Sequence, residues 1–214
     1  MTGPSFRRML FLLIEVTIFT DMNFFFILAA YLVGAVPFGL LFGKLVGTDV
    51  RQSGSKNIGA TNVSRLLGKK MGAVTLICDA GKGFVPMLCA REMGAGGDIV
   101  LLCGGAAFLG HLYSVYLGFK GGKGVATALG VFVYLNPLAV LVGVGIFVAS
   151  VVLSGFVSLG SLVTTALMPG ILLVLHGSVG QILLAVFIAL LVWIKHKENI
   201  VRLLNHQEKS WKKK

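Results

Sequence analysis

Three polar stretches interrupt an otherwise apolar chain, and their residue types suit the holding of anions. Residues 49–70 read DVRQSGSKNIGATNVSRLLGKK and gather Ser53, Gly54, Ser55, Asn57, Gly59, Thr61 and Asn62 around the cations Lys56 and Arg65. Glycines let backbone N–H groups approach an anion, hydroxyls and amides add donors, and a guanidinium grips phosphate oxygens as a fork. Phosphate binding is the chemistry this composition suits; a turn-rich loop lying on lipid headgroups is the alternative. Residues 118–127, GFKGGKGVAT, place Lys120 and Lys123 among four glycines ahead of an apolar run. Gly122, Lys123 and the amides at the following helix start could face an anion, the alternative being a flexible hinge. This is no nucleotide-hydrolysing P-loop, because Lys123 is followed by Gly124 rather than Ser or Thr. Residues 193–214, WIKHKENIVRLLNHQEKSWKKK, put His196 and Asn199 at i, i+3 on one helical face. There they could orient a hydroxyl or polarise a carbonyl. The lysines from 209 to 214 read as a basic segment meeting anionic lipid.

Other polar residues read as structural. Asp79 and Lys82, in CDAGKGF, stand inside an apolar run, where an unpaired charge costs several kcal/mol; a mutual i, i+3 salt bridge is expected ahead of an ion pathway. His111 and Tyr113 are expected as interfacial hydrogen-bonding residues near a span end. Cys78, Cys89 and Cys103 lie in apolar runs without C-x-x-C spacing, which predicts buried thiols rather than a disulfide or metal site. No metal-ligand spacing is visible, and no cofactor is implied.

The elements that must position these stretches are set by composition. The 214 residues are 56% apolar and 13% charged, with a mean hydropathy of +0.91. A soluble domain is nearer a quarter charged, and a disordered chain is poor in apolar residues, so both classes are excluded. An all-α, polytopic membrane protein remains, with candidate spans near 24–43, 71–91, 98–118, 124–135, 137–153, 159–175 and 179–194. The short ones are expected to be broken, re-entrant or buried against protein. The net charge of +11 is no sign of nucleic acid, since no binding motif accompanies it. Instead, residues 44–70, 119–123 and 195–214 hold fifteen of the nineteen Lys and Arg, which by the positive-inside rule places them in the cytoplasm. Seven spans then put the N-terminus outside. Residues 1–21 are expected to be an N-terminal extension, read as a start-site artefact before Met22, with an interfacial helix as the alternative. Residues 22–204 would form the membrane domain and 205–214 a basic cytoplasmic tail.

Together SGSKNIGATNVSR, GHLYSVYLGFKGGKGVAT and KHKENIVRLL resemble, in order and spacing, the motifs of the bacterial acyl-phosphate-dependent glycerol-3-phosphate acyltransferases, the PlsY family. The likeness runs from residue 22 to about residue 204. It implies a seven-helix fold in the bacterial inner membrane, with the active site on the cytoplasmic face. It also implies transfer of a fatty acyl group from acyl phosphate to the 1-hydroxyl of glycerol 3-phosphate, giving lysophosphatidic acid in the first acylation of phospholipid synthesis. Membrane lipids and the peripheral acyl-phosphate synthase would be the partners. Carried over to this chain, Ser55 and Thr61, with Asn57 and Asn62, would help form a phosphate pocket. Arg65, Gly122 and Lys123 would hold anionic substrate groups. Ser161, His196 and Asn199 would contact glycerol phosphate and order the reacting hydroxyl; Ser161 comes from the resemblance alone.

The residue types agree with that chemistry. Acyl phosphate has a good leaving group, so alignment of hydroxyl with carbonyl and support of developing negative charge are the main tasks. The H-x-x-x-x-D pair of acyl-CoA-dependent acyltransferases is missing: Tyr116, Gln181, Val201 and Trp211 stand five residues after the four histidines. Either His196 or a substrate phosphate oxygen takes the proton, and the resemblance points to the second. An anion transporter would predict internal repeats and a midplane site; no convincing repeat is seen, and apart from Asp79 and Lys82 the polar residues lie at the rim. A lipid-binding scaffold leaves the first polar stretch unexplained. Arg65→Ala is expected to raise KM for a phosphate-bearing substrate about tenfold, the scale of one lost charge-assisted contact. Asn199→Ala is expected to lower kcat instead, with both variants eluting as folded protein. Steady-state kinetics with unchanged constants would remove both assignments.

Overall fold

Hydrocarbon offers backbone N–H and C=O groups no partner, so a chain in lipid must satisfy them internally, which helices do. The computed structural model describes residues 22–212, and every regular element among them is helical. In chain order these are α1 (22–35), α2 (Phe38–Leu45), α3 (Ala60–Leu67), α4 (Lys69–Glu92) and α5 (Gly97–Leu112). After a short 3-10 turn come α6 (Val125–Leu135), α7 (Pro137–Ser154), α8 (Val157–Val174), α9 (Val179–Lys195) and α10 (Lys197–Leu204). The expectations about residues 1–21 lie outside the described residues.

Five segments are long and apolar enough to cross a membrane: Met22–Leu45, Lys69–Glu92, Gly97–Leu117, Pro137–Ser154 and Val157–Val174. α9 and α10 pass together as a sixth, bent by 61°. The expected span at 124–135 is an eleven-residue helix. At 1.5 Å per residue it covers about 16 Å, roughly half the hydrocarbon thickness. It can stop halfway because it packs inside the protein. Gly83 of α4 faces the Thr127 carbonyl, Gly130 of α6 faces the Ala80 carbonyl, and a side chain at either glycine would collide with the other helix. Asn136 then caps α7, its Oδ1 accepting from the Ala139 N–H at 2.9 Å.

The first span is interrupted at Val36 and Pro37. The Val36 carbonyl accepts from Lys82 Nζ at 2.8 Å, and the Ala35 carbonyl accepts from Ser114 Oγ at 2.6 Å. Lys82 also meets Asp79 at 2.8 Å, as the spacing predicted, and both side chains are buried. Gly34 packs on Ala107, and Gly110 on Tyr31 and Ala35, drawing α1 and α5 together. His111 differs from expectation: it is buried, with Nδ1 at 3.8 Å from Asp79, rather than interfacial. Of the three free cysteines only Cys103 is buried; Cys89 lies exposed on α4. A core around Met87, Phe108, Leu112, Val131, Leu172 and Ile188 holds the bundle together, while Phe24, Ile77, Leu141 and Leu173 coat its outer surface.

Lys82→Leu strands a buried carboxylate and should lower stability by about 3–5 kcal/mol. Replacing Asp79 by Leu as well should restore part of that loss, seen as a higher melting temperature of the double variant in detergent.

Candidate functional site

A cavity of about 1290 Å³ runs from the three polar stretches into the helices. One end is lined by Arg65, Lys123, Ser161, His196 and Asn199, and the other by apolar side chains such as Phe132, Val140, Phe147, Met168 and Ile188. Ser55, Asn57, Thr61 and Asn62 also line it. Of the expected site residues only Gly122 stands apart.

The first polar stretch folds around Asn62, which is 1% exposed. Its Nδ2 donates to the carbonyls of Val50 (2.8 Å), Asn57 (2.9 Å) and Ser53 (3.3 Å), and its Oδ1 accepts the Ser55 N–H at 2.8 Å. The amide is thus spent on the loop, which corrects the expectation that Asn62 binds substrate directly: it is a positioning residue. Val50, Ile58 and Val63 anchor the same loop in a small core with Leu40. Ser55 and Thr61 face the cavity. Arg65, on the exposed side of α3, reaches across to donate to the Lys209 carbonyl at 3.3 Å.

The glycine loop is tethered rather than hinged. The N–H groups of Gly121 and Gly122 donate to the carbonyls of Leu112 (3.2 Å) and His111 (3.0 Å) at the end of α5. Neither amide is left for an anion, and Gly122 lies on the His111 ring, where any side chain would clash. This corrects its expected substrate contact. Gly124, at φ +84°, then turns the chain into α6 where a side chain would strike Phe108 and Leu112. The result points Lys123 inward, hydrogen-bonded to Asn199 Oδ1. Burial, with the nearby positive charge of Arg202, lowers the Lys123 pKa to about 8, against the opposing pull of Glu208 and Glu198.

The break between α9 and α10 falls at His196. His196 and Asn199 are 3% and 5% exposed, and both line the cavity, brought there across the helix break rather than along one continuous helical face. His196 Nδ1 lies 2.8 Å from the Val192 carbonyl, so it carries the proton in that bond. Ser161 on α8 donates to the Val157 carbonyl at 3.0 Å, leaving its oxygen lone pairs on the cavity side as acceptors.

Three polar residues at this end escaped sequence reading. Ser158 Oγ donates to Glu208 Oε1 at 2.8 Å, Asn199 Nδ2 donates to the same oxygen at 2.7 Å, and Arg202 Nε donates to Oε2 at 2.7 Å. Arg202 follows Asn199 by three residues and so shares its face, a signal that was available. Glu208 stands in the tail expected to lie on lipid, and nothing in its spacing pointed inward. Burial works to raise its pKa, but the bonds from Arg202, Asn199 and Ser158 outweigh it and hold the carboxyl below its ordinary value. Among the described residues no group of three His, Cys, Asp or Glu is placed to hold a metal ion.

The profile of the family described as glycerol-3-phosphate acyltransferase matches residues 24–206. A glycerol-3-phosphate acyltransferase of Desulfotalea psychrophila is 57% identical over 197 residues, covering 90% of this chain and all of that protein. One from Geobacter sulfurreducens is 46% identical, covering 86% of this chain and 94% of its own. The crystal structure of PlsY (YgiH), an integral membrane glycerol 3-phosphate acyltransferase in its glycerol 3-phosphate form, superposes with a TM-score of 0.85 at 39% identity. It covers 88% of this chain and 95% of that one. Its lysophosphatidic acid form gives a TM-score of 0.83 over 88% and 94%. With the motifs, the helical membrane fold and the matched length in agreement, this chain belongs to the glycerol-3-phosphate acyltransferase family.

Proposed function

We propose that the protein transfers a fatty acyl group from acyl phosphate to the 1-hydroxyl of glycerol 3-phosphate, forming lysophosphatidic acid and inorganic phosphate. The observation that carries this reading is the cavity's division into a cationic, hydrogen-bonding end and an apolar end. An acyl phosphate has the same two halves, and glycerol 3-phosphate needs only the first. Arg65 and Lys123 bind phosphate oxygens; Asn199, Ser161 and His196 contact glycerol phosphate and order its reacting hydroxyl, while Ser55, Asn57 and Thr61 shape the phosphate pocket. The hydroxyl oxygen attacks the acyl carbon, the bond from that carbon to the phosphate oxygen breaks, and phosphate leaves with the electron pair. A substrate phosphate oxygen takes the hydroxyl proton, with His196 as the alternative acceptor. The family relationship supports glycerol 3-phosphate as the acyl acceptor, since relatives carry that substrate in their names.

The reaction sits in the membrane domain, residues 22–204, as the first acylation of bacterial phospholipid synthesis. The Lys and Arg bias supports a cytoplasmic active site at the inner membrane, with the N-terminus outside and α6 counted as a short seventh pass. A peripheral acyl-phosphate synthase would supply the donor, and the product would leave into surrounding lipid.

Purified protein in lipid, given labelled glycerol 3-phosphate, should form lysophosphatidic acid with palmitoyl phosphate and none with palmitoyl-CoA. Product from the thioester alone would overturn the donor, and anion uptake by liposomes without either product would favour a transporter. The Lys123 amine is cationic below about pH 8 and neutral above it. KM for glycerol 3-phosphate should therefore rise as pH increases through about 8, and Lys123→Arg, charged throughout, should flatten that profile.

A further inference from the structure

Residues 205–212 form a strap across the cavity mouth. Beyond α10 the Gln207 N–H returns to the Arg202 carbonyl at 2.7 Å, and His206 takes a φ of +56°. The strap then reaches the turn between α7 and α8, where the Trp211 N–H donates to the Gly155 carbonyl at 3.0 Å and Trp211 Nε1 donates to the Val151 carbonyl at 3.2 Å. Lys209 ties it to the first polar stretch, its carbonyl accepting from Arg65 and its Nζ donating to the Gly54 carbonyl at 3.4 Å. Gln207, Glu208, Lys209, Ser210 and Trp211 all line the cavity, and all lie beyond the segment that matches the family profile.

Between its two anchors the strap turns Glu208 inward, leaving its side chain 8% exposed. Both carboxylate oxygens are engaged, one by Ser158 and Asn199 and the other by Arg202. A hydroxyl, an amide and a guanidinium converging on two anionic oxygens, with Lys123 beyond Asn199, form a donor set that suits a phosphate monoester equally. A second anion cannot share these donors with the carboxylate, because like charges at contact repel strongly where water is excluded.

We propose that Glu208 is an internal anion: it occupies the Ser158, Asn199 and Arg202 donors that a phosphate monoester takes when the strap lifts. That the ester is glycerol 3-phosphate rests on the function proposed above; that the site takes a phosphate group does not. Apparent affinity is then reduced by the fraction of molecules whose donors Glu208 holds. The rival account makes Glu208 a brace that aligns Asn199 and Arg202 for substrate, and it predicts the opposite sign.

The test is calorimetric titration of the full-length protein in nanodiscs with inorganic phosphate and with glycerol 3-phosphate. Glu208→Gln removes the internal charge, and Trp211→Ala loosens the strap without touching the donors. Both variants should bind inorganic phosphate about tenfold more tightly than the parent protein, as a freed site would. Weaker or unchanged phosphate binding in both would overturn the proposal, and so would tightening in Trp211→Ala accompanied by loss in Glu208→Gln, which marks a brace. Tightening for inorganic phosphate with no binding of glycerol 3-phosphate by any variant would leave the internal anion standing and remove the substrate reading.

Discussion

An interrupted helix in hydrocarbon leaves carbonyl groups that only the protein can satisfy, and much of this structure follows from one such interruption at Val36 and Pro37. Ser114 answers the Ala35 carbonyl and Lys82 answers that of Val36. A cation brought this deep requires a counter-charge, and Asp79 supplies it one helical turn earlier on α4. The pair reaches the site through contacts rather than chemistry. Asp79 stands beside His111, the His111 ring backs Gly122, and the carbonyls of His111 and Leu112 hold the glycine loop that aims Lys123. The polar residues buried in the spans are thus the footing of the cationic end of the cavity.

The remaining geometry follows from a chemistry that must join an apolar and a charged reactant. A short α6 lets the cavity penetrate the bundle, since a full-length helix there would fill the space now lined by α6, α7 and α8. The bend at His196 does the complementary work at the rim. It ends α9 and turns α10 by 61° so that Asn199 is buried, while Glu198 and Val201 remain exposed. Arg202 follows on the Asn199 face, within reach of the same carboxylate. One helix break thereby delivers His196, Asn199 and Arg202 to a single region.

The helical membrane class was legible because apolar runs and charge placement report directly on the lipid environment. So was the i, i+3 pairing of Asp79 with Lys82, which depends only on helical periodicity. That Arg65, Lys123, His196 and Asn199 gather at one cavity was legible too, since all three polar stretches were placed on one face. What could not be read was how each group is spent. Asn62 and Gly122 carry the residue types of an anion loop, yet long-range contacts commit both to holding backbone in place. Pattern reading likewise assigned His111 to the interface, because the residues packed around it, Asp79 among them, are distant in sequence. Ser161 needed the resemblance, as a serine in an apolar helix ordinarily serves packing. The tail lysines concealed Glu208, because net charge describes a segment and not the one side chain that folds inward.

Charge balance joins these findings. Arg65 and Lys123 line one end of a partly buried cavity and Arg202 lies close enough to repel Lys123, an arrangement that opposes itself until an anion enters. Burial first, and that repulsion second, lower the Lys123 pKa to about 8, while the Glu208 carboxylate among the donors offsets part of the positive charge. A phosphate dianion brings more negative charge than one carboxylate and would draw a full proton onto Lys123. The same cluster can therefore be stable when empty of substrate and selective when filled: the resting state is partly neutralised by a singly charged group on the strap, and the doubly charged phosphate has the stronger claim on every donor.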